Sequence, residues 1–584
     1  MERKTATGLA LALVAAVVVA YLPALDAGYV WNDHTYLTEN PTLDGLDGLS
    51  RIWTDTKANE QYYPLVFTSY WIEKRLWGLH PFGYHLVNVL LHAAGALLLG
   101  RLLRKLALPG ALLAAAAFAL HPMAVESVAW VTERKNTLSL VLSLLSAHAW
   151  LSFREAVAAR EEAAVAKKKA KRPAPLAPLR RRPTVLLGLS LAAFTLALFA
   201  KTTASVLPAA LLVIAWWRQG RLGRDDVRPL LPFFAVGAGL AWHTAWLERT
   251  MVRAEGQEWA HGIWDRLVLA GQTTAFYAGK LVWPSDLAFI YRRWTVDAAV
   301  PAQWLPTLGW ITALVAAFVL ARRGLRGPLA ALLLFGGVLF PAMGFFNVYA
   351  MRYSWVADHF AYQAVAVGSA AIVCGAATLL SRAPSAVARA TAGAAVADLV
   401  LLGALTSRAA VPYRDSESLW LHTIALNPEC FICHTNYGRE LLEKGRTDEA
   451  ALHFERSLEI KPDALPTLLN LAQVEESRGR LGKAAERLRA ALVVDPEDDE
   501  VRIHLATIYT REGRLAEAER EFREALKSPS AVDYLAHNGL GVVLVRTGRV
   551  TEGVAHLKEC VRLRPEYERG RANLEAVLSQ LRRP

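Results

Sequence analysis

Long apolar runs alternate with short polar segments from the N-terminus to Ser407, and the alternation then stops. A helix of about 20 apolar residues crosses the hydrocarbon core of a bilayer, so the pattern predicts a helical protein that crosses a membrane many times. A short extra segment also has room between residues 121 and 136. We place spans at roughly 8–25, 83–104, 106–121, 137–153, 184–200, 203–217, 229–247, 304–321, 328–346, 359–380 and 387–407.

Lysines and arginines in the loops predict how these spans are oriented, because cytoplasmic loops are rich in both residues. The basic loops predicted to be cytoplasmic are 101–105, 154–182, 218–228 and 322–326. The first apolar run follows Glu2, Arg3 and Lys4 as in a signal peptide. We predict that it is an uncleaved anchor, since more spans follow. In either case the loop after it lies outside the cytoplasm.

One apolar stretch, 266–284, does not fit this count. It contains Gln272, Lys280 and Pro284, and basic loops flank the region on both sides, so the number of crossings between them must be even. We therefore predict a re-entrant or interfacial segment on the outer side. Eleven crossings would place the C-terminal part inside the cell, and twelve would place it outside.

Beyond Ser407 the pattern becomes a repeat. Small residues recur 34, 34 and 35 positions apart, and a proline closes each unit. A period of 34 with small residues where helices cross is typical of tetratricopeptide repeats. The predicted fold is all-α, with a multi-span membrane domain over 1–410 and an α-solenoid of about four repeats plus flanking helices over 411–584. The recurring residues are Gly438, Ala472, Ala506 and Gly541; Gly445, Gly479, Gly513 and Gly548; and Pro462, Pro496, Pro529 and Pro565.

Composition and charge agree with a membrane protein. Hydrophobic residues make up 54% of the chain, and the formal net charge is +12. Ten lysines and arginines face three glutamates between residues 154 and 182, so much of the excess lies in one predicted cytoplasmic loop. This placement follows the positive-inside rule and argues against a nucleic-acid partner.

Polar segments interrupt the membrane part at 28–43, 121–136, 201–203, around 280 and at 352–362. Ionisable residues at membrane depth are rare and mark functional sites by default. The simpler alternative is that each one lies at the interface and extends its charged end into water. Together they predict an outward-facing cavity with carboxylates and cations. Such a cavity suits a lipid-phosphate donor, because cations hold the phosphate and a carboxylate moves the proton.

The segment Cys430-Phe-Ile-Cys433-His434 has the spelling of a haem c attachment site. Against haem, it falls at the start of the first full repeat, and no methionine or second histidine is obviously placed as an axial ligand. A local disulfide or two free thiols are the favoured alternatives. A zinc site would need two more ligands, which the sequence does not place.

The chain resembles the transmembrane-and-tetratricopeptide family of O-mannosyltransferases, multi-span glycosyltransferases of the GT-C class. The resemblance covers nearly the whole chain. It is carried by WNDHTYLTENP at 31–41, GLHPFGYHLVNVLLH at 78–92, HPMAVESVAWVTERKN at 121–136, FYAGKLVWP at 276–284, VADHFAY at 356–362 and the repeats.

The resemblance implies transfer of a sugar, mannose in this family, from a polyprenyl-phosphate donor to Ser or Thr of extracytoplasmic proteins. It implies an inverting single displacement with no tightly bound cofactor and no metal, because a monophosphate donor leaves no pyrophosphate to stabilise. It also places the repeats on the same side as the active site, where they bind the acceptor or a partner protein. For a bacterial chain this means a multi-pass inner-membrane protein with its repeats in the periplasm.

The implied catalytic residues lie in the first two polar segments. The family's first loop carries two adjacent acids, and here the pair is Asn32-Asp33, so only Asp33 matches and is the implied base. Glu39 or Glu126 would be an auxiliary acid. An amide at position 32 can orient a hydroxyl but cannot take its proton, which would make the enzyme poor or inactive if the first acid were essential.

Cations and further polar residues complete the implied site. His359 stands where the family commonly has Arg, so a cation that holds the donor phosphate is either lost or partly replaced by His359. The candidates for holding the phosphate are Arg134, Lys135, Lys201, Lys280 and Arg352, and the other site residues are His34, His121, Asp358 and His359.

Two alternatives stay open. The chain is similar in organisation to polymerases or ligases of lipid-linked glycans, some of which carry repeats and use a pyrophosphate donor. It is also compatible with a non-catalytic, membrane-anchored scaffold whose repeats recruit partners, and Asn32 is the best support for that alternative. A phenotype that survives substitution of Asp33 but not deletion of 411–584 would identify the scaffold.

Overall fold

The computed structural model describes residues 3–170, 182–250, 260–381, 383–527 and 529–582, and every regular element in these ranges is a helix. The chain forms two compact units, Met1–Asn427 and Pro428–Pro584. This confirms the predicted all-α fold. The part of the basic loop at 171–181 lies outside the described residues.

The first unit holds α1 to α18. Short 3₁₀ turns between them, among them Pro122–Ala124, Val131–Glu133, Thr202–Val206, Tyr349–Arg352, Asp358–Phe360 and Val411–Arg414, fall in or beside the polar segments. The helices are α1 Arg3–Ala20, α2 Leu22–Leu25, α3 Gly45–Thr54, α4 Pro64–Trp77, α5 Pro81–Lys105, α6 Ala111–Ala119, α7 Val125–Ala129, α8 Arg134–Ala170, α9 Pro183–Ala200, α10 Leu207–Gln219, α11 Arg224–Val227, α12 Leu231–Thr250, α13 Ile263–Val282, α14 Leu305–Arg322, α15 Gly327–Leu339, α16 Tyr362–Leu380, α17 Ser385–Ala410 and α18 Ser416–Leu426.

Seven of the described helical stretches are long and apolar enough to cross a membrane, which makes this a multi-pass membrane protein. They contain α5, α8, α9, α12, α14, α16 and α17. An eighth span results if α6 and α7 count as one segment, although the chain bends by 58° between them. Pro122 lies in the bend, three residues after α6 ends at Ala119, and proline ends or kinks a helix because it lacks the backbone N–H donor.

The eleven predicted spans exceed this number. Helices at three predicted spans are short: the apolar stretch Thr7–Ala20, α10 and the stretch Gly327–Ala342. Proline lies at a helix start in each region, at Pro23, Pro208 and Pro341. A hydropathy average depends on how many residues are apolar, and it does not register where a proline interrupts the helix. The stretch 266–284 forms the single helix α13, which does not have the composition of a span.

The first unit extends past the predicted domain boundary at 410/411. The 3₁₀ turn Val411–Arg414 and α18 pack with the membrane helices, and Asn427 Nδ2 donates a hydrogen bond to the Ile290 carbonyl at 3.2 Å. Residues 411–427 are therefore part of the first compact unit, and the repeats begin at Pro428.

The second unit is a row of paired helices. Each of the repeated residues Gly445, Gly479, Gly513 and Gly548 has a positive φ between 72° and 84° at the end of the first helix of its pair. Glycine adopts this conformation without steric cost and ends the helix. The helices are α19 Phe431–Glu443, α20 Thr447–Ile460, α21 Leu465–Ser477, α22 Leu481–Val494, α23 Asp499–Glu512, α24 Leu515–Ala525, α25 Asp533–Arg546, α26 Val550–Leu563 and α27 Glu568–Leu581.

Small residues let the two helices of a pair approach closely. A Cβ atom added at Gly438 would lie 2.6 Å from the Phe454 ring, and one added at Gly541 would lie 3.0 Å from the Gly553 carbonyl oxygen. The 34-residue spacing therefore marks the helix crossings, as predicted for tetratricopeptide repeats.

Cys430 and Cys433 form a disulfide across one turn at the start of α19. This confirms the local-disulfide alternative. The two sulfurs are bonded to each other and are not available for thioether attachment of haem. His434 Nδ1 lies 2.9 Å from His453 Nδ1, and its Nε2 lies 3.2 Å from the Pro428 carbonyl oxygen. Both nitrogens of the His434 ring are engaged within the repeat.

Candidate functional site

The first polar loop is anchored at its start by two chain segments that are distant in sequence. The Gly28 N–H donates to the Arg414 carbonyl at 2.8 Å. His85 Nε2, on α5, lies 3.1 Å from the Gly28 carbonyl oxygen. Because both contacts involve the backbone of Gly28, they fix the path of the loop and not only a side chain.

Trp31 holds the loop against an aromatic cluster. Its ring stacks on Trp130, with centroids 5.5 Å apart, and packs edge-on against Phe289 and Trp420 at 5.2 and 5.8 Å. The backbone N–H of Trp31 donates to Ser416 Oγ at 3.4 Å. The backbone of Trp31 has φ 48°, a left-handed conformation that costs a non-glycine residue about 1–3 kcal/mol. The aromatic contacts offset that cost.

Asp33 is fully buried, and backbone and side-chain donors surround its carboxylate. Oδ1 accepts from the Thr132 N–H at 2.8 Å and the Thr132 hydroxyl at 2.6 Å, and Oδ2 accepts from the Val30 N–H at 3.0 Å. Burial raises the pKa of Asp33 to about 6, although these donors favour the ionised form and lower it. The predicted base thus connects the first loop to the segment 121–136.

The three other candidates in the first loop do not join Asp33. Glu39 and His34 are exposed, and His34 Nδ1 lies 3.3 Å from Thr38 Oγ1 within the loop. Asn32 Oδ1 is buried, and within the described ranges no hydrogen-bond donor reaches it. Of the two residues next to Asp33 in sequence, Asn32 is therefore less exposed than His34, and Glu39 is exposed.

Glu126 and His359 form the centre of a buried polar cluster. His359 Nδ1 lies 2.9 Å from Glu126 Oε1, and the His359 backbone N–H donates to Glu126 Oε2 at 2.8 Å. The two residues come from segments that are 233 positions apart. The structure therefore brings together two of the predicted site segments.

Two lysines meet at Glu133 beside this pair. Lys135 Nζ lies 2.8 Å and Lys201 Nζ 3.3 Å from the Glu133 carboxylate, and His359 Nε2 lies 3.9 Å from it. Asn136 bridges the group, since its amide donates to Glu133 and its oxygen accepts from Lys201 at 2.8 Å. Glu133 and Asn136 were not among the predicted site residues, although both lie in the segment 121–136.

Asp358 is buried next to this cluster. Its Oδ1 accepts a hydrogen bond from the Tyr291 hydroxyl at 2.9 Å. Burial and, after it, the nearby Glu126 carboxylate raise the pKa of Asp358 well above its usual range. Tyr291 was missed by sequence reasoning, because it lies in a loop that carries no motif.

A small pocket reaches these two acids. Apolar and aromatic side chains form most of its wall, and Glu126 and Asp358 are its carboxylates. The residues that line it are Pro122, Val125, Glu126, Leu287, Phe289, Asp358, Ala409, Tyr413, Leu419 and His422. Asp33 does not line this pocket.

Arg134 is enclosed, and its donors are occupied. The fully buried guanidinium forms an ion pair with Glu73 and donates to Asn88 Oδ1 at 2.8 Å and to the Tyr84 carbonyl at 2.7 Å. It also lies over the Tyr70 ring at 4.6 Å. These contacts engage the guanidinium within the protein, and its predicted role at the donor phosphate stays a prediction.

Lys280 lies near Asp358 and Tyr291. Its Nζ donates to the Ser285 carbonyl and lies 3.3 Å from the Asp286 carbonyl oxygen. It also lies 5.5 Å from the centre of the Tyr291 ring. Lys280 therefore remains close to the acid pocket through Tyr291.

Arg352 and His121 each make local contacts outside the Glu133 cluster. The guanidinium of Arg352 lies over the rings of Tyr349 and Tyr353, at 5.6 and 5.9 Å. The His121 ring is buried, its Nδ1 accepts from the Met123 N–H at 3.3 Å, and its Nε2 lies 3.0 Å from a carbonyl on α13. Both His121 nitrogens are engaged, so His121 caps the turn after α6 and is not free to move a proton.

The described ranges contain no group of three or more His, Cys, Asp or Glu side chains that could hold a metal ion. The acids of the site are instead paired with His359, Lys135 and Lys201. The arrangement can accept a proton at a carboxylate and present positive charge nearby, the two requirements of glycosyl transfer from a phosphate.

Comparisons with known protein families match the second unit. Models described as tetratricopeptide repeat match residues 433–464, 469–531 and 511–568. These matches agree with the paired helices α19 to α26.

Comparisons with curated proteins match protein O-mannosyl-transferases. Tmtc1 of Drosophila melanogaster is 34% identical over 28% of this chain and 20% of its own length. F38B6.6 of Caenorhabditis elegans is 27% identical over 23% and 21%, and human TMTC4 is 30% identical over 22% and 21%. The chain thus spans about a fifth of the length of these relatives, and the predicted resemblance is confirmed over that part.

Comparisons with solved structures match repeat proteins. The chain is similar to YrrB, a TPR protein with an unusual peptide-binding site, at 17% identity, covering 27% of this chain and 80% of that protein with a TM-score of 0.25. It is also similar to MamA at 20% identity, covering 25% and 84% with a TM-score of 0.23.

Proposed function

We propose that this chain is an integral-membrane glycosyltransferase that moves a sugar, mannose in the first instance, from a polyprenyl-phosphate donor to Ser or Thr of extracytoplasmic proteins. The observation that carries the proposal is the buried cluster formed by Glu126, Glu133, Lys135, Lys201 and His359. It gathers ionisable side chains from three separate polar segments of a membrane domain. The similarity to curated O-mannosyl-transferases supports the same chemistry.

The cluster supports an inverting single displacement. A carboxylate takes the proton of the acceptor hydroxyl while its oxygen attacks the anomeric carbon, and the bond from that carbon to the phosphate oxygen breaks. Positive charge stabilises the departing phosphate. Lys135 and Lys201 supply this charge at one end of the cluster, and Lys280 supplies it beside Tyr291.

Lys135 and Lys201 are suited to exchange partners when the donor binds. Both are mostly buried and share the carboxylate of Glu133. A phosphate that enters the site brings further negative charge. The two ammonium groups can then bind the phosphate while they remain close to the Glu133 carboxylate. Arg352 is the outer candidate for the same task, and Arg134 is not part of the proposed phosphate site.

The repeats are proposed to bind the acceptor or a partner protein. Covalent attachment to the membrane unit raises the effective concentration of a bound acceptor. The disulfide Cys430–Cys433 supports an oxidising compartment for the repeats, since disulfides persist outside the cytosol. For a bacterial chain this is the periplasm.

The proposal is tested by transfer of labelled mannose from a short-chain polyprenyl phosphate to secreted proteins, with purified protein in lipid. We expect transfer by the wild type and a loss of at least 100-fold in Asp33→Asn, whether Asp33 is the base or holds the first loop in place. The matched control is Asp47→Asn on the exposed surface of α3.

Failure of the folded wild type to transfer any of several sugars from monophosphate donors would overturn the proposal. Transfer from pyrophosphate donors alone would identify a ligase or polymerase of lipid-linked glycans. The scaffold alternative predicts full function in Asp33→Asn.

A further inference from the structure

The two acids at positions 33 and 358 differ in how far their oxygens are occupied. Three donors hold the Asp33 carboxylate, and it does not line the pocket. The Asp358 carboxylate does line the pocket and accepts one hydrogen bond, from Tyr291 to Oδ1. In the described part of the chain no hydrogen bond reaches Asp358 Oδ2. This oxygen can accept a hydrogen bond from a hydroxyl.

The wall of the pocket is suited to a small side chain that carries a hydroxyl. Phe289, Tyr413 and Leu419 line it beside the acids and give it a mostly apolar wall. A hydroxyl bound there is desolvated, and a carboxylate accepts its proton more readily than in water. Phe289 also packs against Trp31, so the first loop supports the pocket wall without reaching the acids itself.

We propose that this pocket is the acceptor subsite and that Asp358 is the catalytic residue that takes the proton of the Ser or Thr hydroxyl. The inference rests on the proposed function and assigns the base within it. Asp33 is then a positioning residue, which ties the first loop to Thr132. Glu126 is a second positioning residue, whose charge adjusts the affinity of Asp358 for the proton.

The step balances as follows. The hydroxyl oxygen forms a bond to the anomeric carbon, its proton passes to Asp358 Oδ2, and the bond from the anomeric carbon to the phosphate oxygen breaks. The products are the glycosylated side chain and polyprenyl phosphate. The proton then leaves Asp358 for the phosphate or for water, and the site is restored.

The charged and titratable groups around Asp358 make this assignment testable by pH. Glu126 raises the pKa of Asp358, while the hydrogen bond from Tyr291 and the charge of Lys280 lower it. Tyr277, whose hydroxyl donates to the Ala357 carbonyl at 3.1 Å, and Tyr413 in the pocket wall also lie near it. The base works only when ionised, so the rate rises with pH through the pKa of Asp358.

The test measures kcat/KM against pH for the full chain in lipid, with short-chain polyprenyl-phosphate mannose and a secreted-protein acceptor. Asp358→Asn should lose at least 100-fold in kcat while KM for the donor stays unchanged. Glu126→Gln should move the acid limb of the profile to lower pH. Tyr291→Phe should move it to higher pH, since the hydroxyl no longer stabilises the carboxylate.

The outcomes separate the two proposals. A folded wild type without transfer defeats the proposed function itself. An active wild type together with a folded Asp358→Asn that retains more than a tenth of its kcat overturns the assignment of the base. If Asp358→Asn does not fold, the pH profiles of Glu126→Gln and Tyr291→Phe decide. Shifts of the acid limb in opposite directions support the assignment, and an acid limb that moves in neither variant overturns it. Asp47→Asn on α3 serves as the control and should match the wild type at every pH.

Discussion

The Asp33 carboxylate is balanced between burial and hydrogen bonding. Burial favours its neutral form, and the donors from Val30 and Thr132 favour the ionised form. The result is a pKa of about 6, above the ordinary value of 3.8. In the folded protein Asp33 therefore holds its proton over a pH range in which the unfolded chain releases it.

The Thr132 hydroxyl should control this titration. Thr132→Val removes the 2.6 Å hydrogen bond and keeps the side-chain shape, so the pKa of Asp33 should rise above 6. Infrared difference titration of the carboxyl stretch, with Asp33→Asn as the reference, measures the midpoint. Thr35→Val in the same loop is the control and should leave it unchanged. A midpoint that falls in Thr132→Val would contradict this account.

The raised pKa of Asp33 also makes the stability of the folded protein depend on pH. Between pH 3.8 and about 6 the folded state binds more protons at Asp33 than the unfolded state does. The contribution of Asp33 to the free energy of unfolding therefore decreases as the pH rises through this window. This contribution is largest below pH 3.8, the pKa of Asp33 in the unfolded chain.

The buried pair of Arg134 and Glu73 should be essential for folding. Glu73→Gln leaves the guanidinium without its counter-charge and should cost about 3–5 kcal/mol. Lys74→Gln is the matched control in the next position of α4, because it breaks only the exposed pair with Asp44 and should cost less than about 1 kcal/mol. Thermal midpoints in detergent compare the two. Equal midpoints would show that the buried pair is dispensable.

The polar segments indicated most of the ionisable residues of the buried cluster, but the partner of each residue was not predictable. Lys201 was expected to meet a phosphate, whereas its carboxylate partner Glu133 lies 68 positions away. Arg134 and Lys135 are adjacent in sequence, yet one is enclosed and the other reaches the cluster, because neighbours on a helix point in different directions.

At the scale of elements, the same helix crossing holds different pairs of side chains in different repeats. The third repeat has Arg502 on α23 and Glu521 on α24, 3.2 Å apart. The equivalent positions, 68 residues earlier in the first repeat and 35 residues later in the last repeat, hold two histidines each. Their Nδ1 atoms lie 2.9 and 2.8 Å apart, in the pairs His434–His453 and His537–His556.

These histidine pairs should make the repeats sensitive to acid. Burial lowers the pKa of all four rings, so the folded state favours their neutral forms. Their contribution to stability is present above the unfolded value of about 6.5 and is lost as the pH falls below it. Hydrogen exchange on the full chain should show α19, α20, α25 and α26 losing protection between about pH 8 and about pH 5.

The third repeat supplies the control for this experiment. The double substitution His434→Arg with His453→Glu copies the Arg502–Glu521 pair into the first repeat. Protection of α19 and α20 should then become independent of pH, while α25 and α26 stay sensitive. If the acid sensitivity of α19 persists in this variant, the histidine pair is not its source.

The elements themselves were predictable to different degrees. The spacing of small residues fixed the repeats, because a close helix crossing has to recur with the period of the chain. The spans were harder. At 106–121 the apolar composition predicts one helix, but α6 ends at Ala119 and the chain bends before α7. Pro122 lies in this bend, and a hydropathy average does not register the backbone hydrogen bond that a proline removes.

At the scale of the whole molecule, the disulfide provides a test of compartment. The chain has four cysteines, of which Cys430 and Cys433 are bonded and Cys374 and Cys560 are free and buried. Unfolding without reductant after isolation from cells should expose two thiols to a maleimide, and added reductant should expose four. Mass spectrometry counts the labels.

A double substitution controls the thiol count. Cys430→Ser with Cys433→Ser should give two labels with and without reductant. Four labels on the wild-type chain without reductant would place the repeats in a reducing compartment and contradict the proposed periplasmic location.

The contacts of the first loop also restrict how such a protein can change by recombination. Gly28 and Trp31 bind Arg414 and Ser416, which lie after the last membrane-length helix core and before the repeats. A crossover that exchanges repeats between related genes preserves this loop only if it falls beyond Asn427. A junction at 410 would put a foreign residue in place of Trp420, which packs edge-on against Trp31. Residues 411–427 should therefore be inherited with the membrane part, and only the repeats beyond them should be exchangeable.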